Sequence, residues 1–566
     1  MCNGTLMDKL ISFAIPLMLS GILQLMFNAV DIIVVGRFSG SQSLAAVGST
    51  TALINVFTNL FIGISLGANV LAARYYALEK SKEMSETVHT AIAFALISGV
   101  GMAVIGLLMA KPALELMGTP DDVIAKSTLY MRIYFCGMPF FMLYNYGAAI
   151  LRAVGDTKRP LLFLIISGVI NALLNLFLVI QFHLDVAGVG IATVISQLIS
   201  CILVLRCLYC SESSYQFRPE KLNIRSSYLR QIFEVGIPAG IQSTVINLSN
   251  AMLQSSVNSF GSISMAGYTA ANNIFGFLYV SVNSVTQACM SFTSQNYGVK
   301  KLKRMDRVLI DCAILSVVVA LGLGSIAYFF GPELLHIYSE QADVIACGME
   351  ILSYTTMTYF LCGLMDLFPG ALRGMGYSTV PMILSIIGTV GMRILWIYGL
   401  FPTHRSLGFL FISYPASWIA TIVMQVICFW FVRRKIHREK DGSSYLRIMG
   451  ITYLCWGITE IYLAILRSIG RVTISMALNM LAFILNIILN ATFIFGLFGA
   501  PKLGATGVAI ATAASRLIEL AACVIVSFLS KDVKLNLTFM FIRSKVLFGD
   551  FVRLSLPALG NDVSWS

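Results

Sequence analysis

The sequence predicts an all-α polytopic membrane protein: two six-helix bundles as parallel repeats (12 spans), plus about three extra spans and a truncated one. Three observations predict it. Of 566 residues, 57% are hydrophobic and only 12% charged, with a mean hydropathy of +0.83, whereas soluble globular chains carry roughly 25% charged residues. Apolar runs of about 20 residues recur from end to end, each long enough to cross the ~30 Å hydrocarbon core as a helix. Short phrases also return at nearly constant spacing, the mark of repeated units. A membrane barrel does not fit, because its strands alternate apolar and polar residues over only about 10 positions.

The elements follow in order. The first predicted helix, 11–35, contains Pro16 and continues past it as a full span, so it reads as retained and not as a cleaved signal. Helices over 44–73, 89–110, 125–151, 160–181 and 188–208 complete an N-lobe, residues 1–208. The polar stretch "YCSESSYQFRPEKLNIRSSYL" makes 209–230 a linker. Helices over 231–257, 264–294, 308–330, 346–372, 379–400 and 407–432 form a C-lobe, residues 231–435. Three more are predicted at 446–466, 472–496 and 504–528, and a cut-off one starts near 548.

The lobes repeat one another. "FAIPLMLSG" at Pro16 returns as "VGIPAGIQS" at Pro238, 222 positions on. "LRAVGDTKRP" ending at Pro160 returns as "LRGMGYSTVP" ending at Pro381, 221 positions on. Six crossings separate the copies, so they are parallel repeats about an axis along the membrane normal, a transporter design.

The net charge of +12 would suggest nucleic acid in a soluble protein. Here the basic residues lie in short loops after even-numbered helices: Arg74, Lys80 and Lys82; Arg152, Lys158 and Arg159; "KKLKRMDR" at 300–307; and "RRKIHREK" at 433–440. That is the positive-inside pattern, which places the N-terminus in the cytoplasm and argues against a nucleic-acid partner. The twelve cysteines are scattered, and Cys207 and Cys210 form a CxxC with no second pair or histidines nearby, so they read as packing residues and not a metal site. The five histidines are isolated and no HExxH or GxSxG motif occurs, which argues against a membrane-embedded enzyme.

An ionisable group within a span costs roughly 2.5–3.5 kcal/mol on insertion scales and is a functional candidate by default. Asp31 is the clearest, in "FNAVDIIVVG" of the first helix, with Gln24 and Asn28 on roughly the same face. A structural, hydrogen-bonded Asp31 is the competing reading. Asn171 and Asn175 share a face of the fifth helix, and Thr193 and Gln197 lie on the sixth, where threonine commonly bonds back to its own turn. The seventh helix carries Gln242, Asn247, Asn250 and Gln254 but no acid. Asp366 and Arg393 are the remaining buried-looking charges; they are expected to pair, with a structural role and a coupling role both open. Met26, Phe27, Tyr144, Phe275 and Tyr279 would suit a cavity for flat cations, though such residues more often face lipid or core.

The segments "IPLMLSGILQLMFNAVDIIVVGRFSGSQSLAAVG", "SFTSQNYGVKKLKRMDR" and "GALRGMGYSTVPM" together resemble the multidrug and toxic compound extrusion (MATE) family, over about residues 1–435. The resemblance implies an antiporter of the cell's inner (plasma) membrane that exports organic, cationic compounds by alternating access. It implies coupling to H+ or Na+, bound at the acid of the first helix, Asp31, with no other cofactor. Asn171, Asn175 and Thr193 would assist coupling, and Gln24, Asn28, Gln197, Gln242, Asn247, Asp366 and Arg393 would line the substrate cavity. Many relatives carry Asp where Asn175 stands, so a two-carboxylate scheme does not transfer. Its partners would be small organic molecules and the bilayer, and it would act as a monomer. A lipid-linked oligosaccharide flippase of the same superfamily is the alternative; it is expected to have several basic residues inside the cavity, and few lie within these helices.

Residues 441–566 copy part of the N-lobe. "ILRSIG" matches "ILRAVG", and Asn486 and Asn490 match Asn171 and Asn175, at an offset of 315. "IATAASRLI" matches "IATVISQLI", and Pro557 matches Pro238, at 319. This partial repeat corresponds to helices 4–6 and the start of 7, lacks a counterpart of Asp31, and reads as a fused remnant without function. Its basic residues conflict with those of 433–440, because a single crossing separates the two groups.

Overall fold

The computed structural model describes residues 1–39, 41–116, 119–495 and 504–529, and its regular structure is helical throughout. The truncated helix near 548, Pro557 and the basic residues from Lys531 onward lie outside the described residues. Two units divide the chain, Met1–Trp430 and Phe431–Ser566.

The first half of unit one holds α1 (Met7–Phe38), α2 (Ser41–Ala77), α3 (Ser81–Leu116), α4 (Asp121–Cys136), α5 (Met138–Val154), α6 (Lys158–Leu176) and α7 (Asp185–Tyr209). The second half holds α8 (Ser226–Asn258), α9 (Ser262–Gly298), α10 (Leu302–Phe329), α11 (Gly331–His336), α12 (Ala342–Thr355), α13 (Tyr359–Gly374), α14 (Thr379–Ser385), α15 (Met392–Leu395) and α16 (Leu407–Phe411). Then come α17 (Ser413–Ser468), α18 (Val472–Phe495) and α19 (Gly504–Leu529). Among the described residues ten helices are long and apolar enough to cross a membrane, or eleven if α12 and α13, bent by 50°, count as one span.

The predicted spans that fall short have physical reasons. The helix expected over 125–151 breaks at Gly137 into α4 and α5, where Pro139 packs on Gly99 so closely that a Cβ there would stand 2.5 Å from Pro139 Cα. The helix expected over 346–372 breaks at the equivalent place, before Tyr359. The segments 231–257 and 264–294 are helical but rich in Ser, Asn and Gln, which lowers their hydropathy. The gap expected between 432 and 446 is helical, because α17 runs from Ser413 to Ser468 through a stretch of Arg, Lys and Glu, which favour helix.

The phrase written three times is a helix stop. Gly155, Gly376 and Gly470 have φ of +100°, +95° and +83°. In each copy the glycine N–H donates three residues back, to Arg152 O (3.0 Å), Arg373 O (2.8 Å) and Arg467 O (3.2 Å). The next N–H donates five back, to Leu151 O, Leu372 O and Leu466 O, each at 2.9 Å. This is the Schellman arrangement, in which a left-handed residue satisfies carbonyls that the helix end leaves open.

Each half has its own apolar core, one including Met131, Phe135, Met142 and Tyr146, the other Leu253, Tyr268, Ile351 and Phe411. The halves meet along α2 and α8. Gly63 and Gly67 face Gly236 and Gly240, and side chains cannot intervene: a Cβ on Gly63 would lie 2.3 Å from Gly240 Cα, and one on Gly67 2.1 Å from Ile232 O. Beyond this seam, Asn69 Nδ2 donates to Ala149 O (2.8 Å) and Ser291 Oγ donates to Asn69 Oδ1 (3.0 Å). Ser294 Oγ donates to Val70 O (2.6 Å) and Gln295 Nε2 to Ala153 O (2.7 Å). The bonds from Ser291, Ser294 and Gln295 join the halves at the ends that carry the basic loops, and the Asn69–Ala149 bond braces α2 against α5 beside them.

Within unit two, α18 packs on α19, and Tyr462, Leu463, Leu466, Leu478 and Cys523 form a small core.

Candidate functional site

Asp31 sits on α1 with 9% of its surface exposed. Asn175 at the end of α6 donates its Nδ2 to Asp31 Oδ1 and also to Asn171 Oδ1, the latter at 3.1 Å. Asn171 Nδ2 in turn donates to Ser196 Oγ on α7 at 3.5 Å. The two asparagines can share this chain because they are four apart on one helical face. α1 reaches α6 because Gly168 leaves room: a Cβ there would stand 1.8 Å from the Phe27 ring.

No ion pair among the described residues involves Asp31. Its electrostatic neighbours are the phenols Tyr130 and Tyr134 of α4. The site is thus a buried carboxyl group with an amide donor, two phenols and no fixed cation. Such a group can take up a proton or a small cation without displacing a salt bridge.

The other expected residues divide. Thr193 Oγ1 bonds back to Val189 O at 2.9 Å, and its place in the chain is taken by Ser196. Gln197 sits against Gly137, where a Cβ would approach its Oε1 to 2.5 Å, and that oxygen is buried without a hydrogen bond. Gln24 and Asn28 are exposed and do not join the Asp31 chain. Tyr130, Tyr134 and Ser196 were missed at the sequence level; the four-residue spacing of the tyrosines in "YMRIY" was the available signal.

In the second half, Asp366 and Arg393 do not pair. Arg393, 3% exposed, donates Nη1 to Asn250 Oδ1 (2.6 Å) and Ser249 Oγ (3.2 Å), and its guanidinium lies over the Tyr414 ring at 4.5 Å. Asp366 instead interacts electrostatically with Arg373, whose Nη2 donates to Gln242 Oε1 at 2.6 Å. Sequence hydropathy marks both charges as buried but says nothing about which helices face one another. Asn247 is exposed. Among the described residues no cluster of His, Cys, Asp or Glu could hold a metal ion.

Unit two repeats the amide chain. Asn490 Nδ2 donates to Asn486 Oδ1 (2.5 Å), and Asn486 Nδ2 to Ser515 Oγ (3.2 Å), at positions matching Asn175, Asn171 and Ser196. The pair of half-buried Arg516 and buried Glu519 (2.6 Å) stands where the first half has Gln197 and Ser200.

Unit one thus combines multi-span helical halves in tandem, a glycine seam between them, and a buried carboxyl group with no ion-pair partner among the described residues. The MatE family profile matches the chain three times, over residues 16–177, 238–398 and 406–492. The chain therefore belongs to the MATE transporter family. It is 28% identical over 434 residues to the probable multidrug resistance protein YoeA of Bacillus subtilis, covering 75% of this chain and 93% of that one. It is 22% identical over 402 residues to the multidrug export protein MepA of Staphylococcus haemolyticus, covering 70% and 87%. Among solved structures, the outward-facing conformation of a multidrug resistance MATE family transporter superposes with a TM-score of 0.71 at 20% identity, covering 78% of this chain and 98% of that one. A MOP superfamily transporter from Pyrococcus furiosus gives 0.70 at 21%, with the same coverage.

Proposed function

We propose that the protein is a cation-coupled multidrug efflux antiporter of the inner membrane, with its N-terminus in the cytoplasm and its coupling ion, H+ or Na+, bound at Asp31. The observation that carries this reading is the buried Asp31 carboxyl group, held by Asn175 and left without a cationic partner among the described residues. Residues 1–208 and 231–435 act as the two lobes, and 441–566 takes no part in transport. The contacts around Asn69, Ser291 and Gln295 join the lobes on the basic-loop side, so under the positive-inside rule the cavity opens outward. Ion uptake at Asp31 neutralises the charge that attracts a cationic substrate. Differential affinity of ion and substrate for the two lobe arrangements then couples their fluxes. The names of the relatives support organic drugs as cargo.

Everted vesicles with an imposed proton or sodium gradient test the reading. Asp31→Asn should abolish gradient-driven efflux while the protein still inserts and purifies. Efflux equal to that of the unaltered protein would overturn it, and imposing each gradient alone identifies the ion.

A further inference from the structure

The second half holds a buried cation where the first half holds part of its polar chain. Up to Pro381 the repeat offset is 221, which would put Met392 at the station of Asn171. A π-helical turn over Ile386–Gly391 intervenes, and the matching stretch in α6 is plain α-helix. A π turn accommodates one extra residue, and such turns gather at functional sites. It brings Arg393, and not Met392, to the station of Asn171. Its partner Asn250 lies 222 positions after Asn28, on the matching helix.

The guanidinium at this station is half used. Nη1 is tied to Ser249 and Asn250, and one face rests on Tyr414. Nε is buried with no hydrogen-bond partner, and Nη2 donates to none of the described residues. No carboxylate of the described residues forms an ion pair with it, and Asp366 interacts electrostatically with Arg373. A buried charge normally has a partner. Here Ser249, Asn250 and Tyr414 fix one edge and one face, and the Nε/Nη2 edge is left as a rigid fork, the geometry that accepts a carboxylate through two parallel hydrogen bonds.

We propose that Arg393 is a substrate-recognition residue that binds a carboxylate, so that the transporter selects amphipathic zwitterions over simple organic cations. This rests on the reading of the chain as a drug transporter with Asp31 as its cation site. The two lobes then present opposite charges, Asp31 in one and Arg393 in the other.

The test measures equilibrium binding to the purified full-length protein of an amphipathic amine bearing one carboxylate and of its methyl ester. The unaltered protein should bind the acid at least about tenfold more tightly than the ester, the scale of a charge-assisted pair. Equal affinities, or tighter binding of the ester, overturn the proposal. Arg393→Gln should erase the preference, and a preference that survives it also overturns the proposal. Arg393→Lys, which keeps the charge but not the fork, should retain part of the preference and serves as the readout if Arg393→Gln does not fold; full retention or complete loss in the lysine variant counts against a fork. Asp31→Asn should keep the acid–ester preference in the binding assay while losing gradient-driven efflux, so failure of the coupling reading and failure of anion recognition appear in separate measurements.

Discussion

Substituting Gly63 by alanine should move the balance between the two lobe arrangements. The added Cβ would lie 2.3 Å from both Gly240 Cα and Gly240 N, and 3.1 Å from Ala239 C. Ordinary contact begins near 3.4 Å, and all three atoms are backbone, so no rotamer change relieves the clash. The helices must part by about 1 Å, and overpacking of this kind costs roughly 1–3 kcal/mol. The cost falls on the arrangement in which α2 touches α8 and is absent once the seam has opened. A bias of that size shifts a two-state equilibrium by about 5–150-fold. Ser294 reports the shift, because it is fully buried and bonded to Val70 O at 2.6 Å across the junction. A single cysteine placed there by Ser294→Cys, in a background freed of other cysteines, should react with a maleimide faster by a similar factor when Gly63→Ala is added. Gly101→Ala is the control, since a Cβ there meets nothing within 4 Å. An unchanged labelling rate together with an unchanged melting temperature for Gly63→Ala would refute the close seam.

The remaining expectations are simpler. Gly155→Ala and Gly376→Ala each force a left-handed alanine, which costs about 1–2 kcal/mol, so both should lower the melting temperature of the purified protein while Gly101→Ala does not. Asn175→Leu removes the donor to Asp31, and since a hydrogen bond to a charged group contributes roughly 1.5–3 kcal/mol, gradient-driven efflux should fall about tenfold or more. Asn171→Leu, one bond further along the chain, should lower it less; the reverse order would show that Asn175 is not the positioning residue. Deleting 441–566 should leave efflux in vesicles intact, and its loss from a truncated protein that inserts stably would mean the third copy takes part in transport.

Much of the helical framework was legible because the apolar runs are long and the repeats fall at constant offsets. The missed features share a cause. Gly137 and the turn at 356–358 interrupt helices whose hydropathy runs on unbroken, because the break at Gly137 is set by close packing of Gly99 against Pro139. α8 and α9 are polar for spans, yet their register with Pro16 and its neighbours still marked them as copies. At the site, Asp31, Asn171 and Asn175 were found because polarity on an apolar helix is visible in one dimension. Tyr130, Tyr134 and Ser196 join them from other helices, and no local pattern announces which helices touch. The same gap explains the expected pairing of Asp366 with Arg393. Burial leaves a signature in sequence, whereas the identity of a tertiary neighbour does not.

The triple helix stop bears on how such a chain can be assembled. Its three copies form the same two backbone bonds at Gly155, Gly376 and Gly470, although the surrounding sequence differs at most positions. The signal is therefore self-contained over about six residues and needs no help from the bundle around it. A segment carrying its own punctuation survives being copied elsewhere in a gene, because the first thing it must do, end one helix and begin another, is encoded within the copied piece. Recombination between tandem transporter genes can thus join fragments at almost any loop and still yield a chain whose helices start and stop in register. What such an event cannot transfer is the partner across the interface, and the third copy shows this: Asn490 is in place, but the fragment brought no counterpart of Asp31 for it to hold.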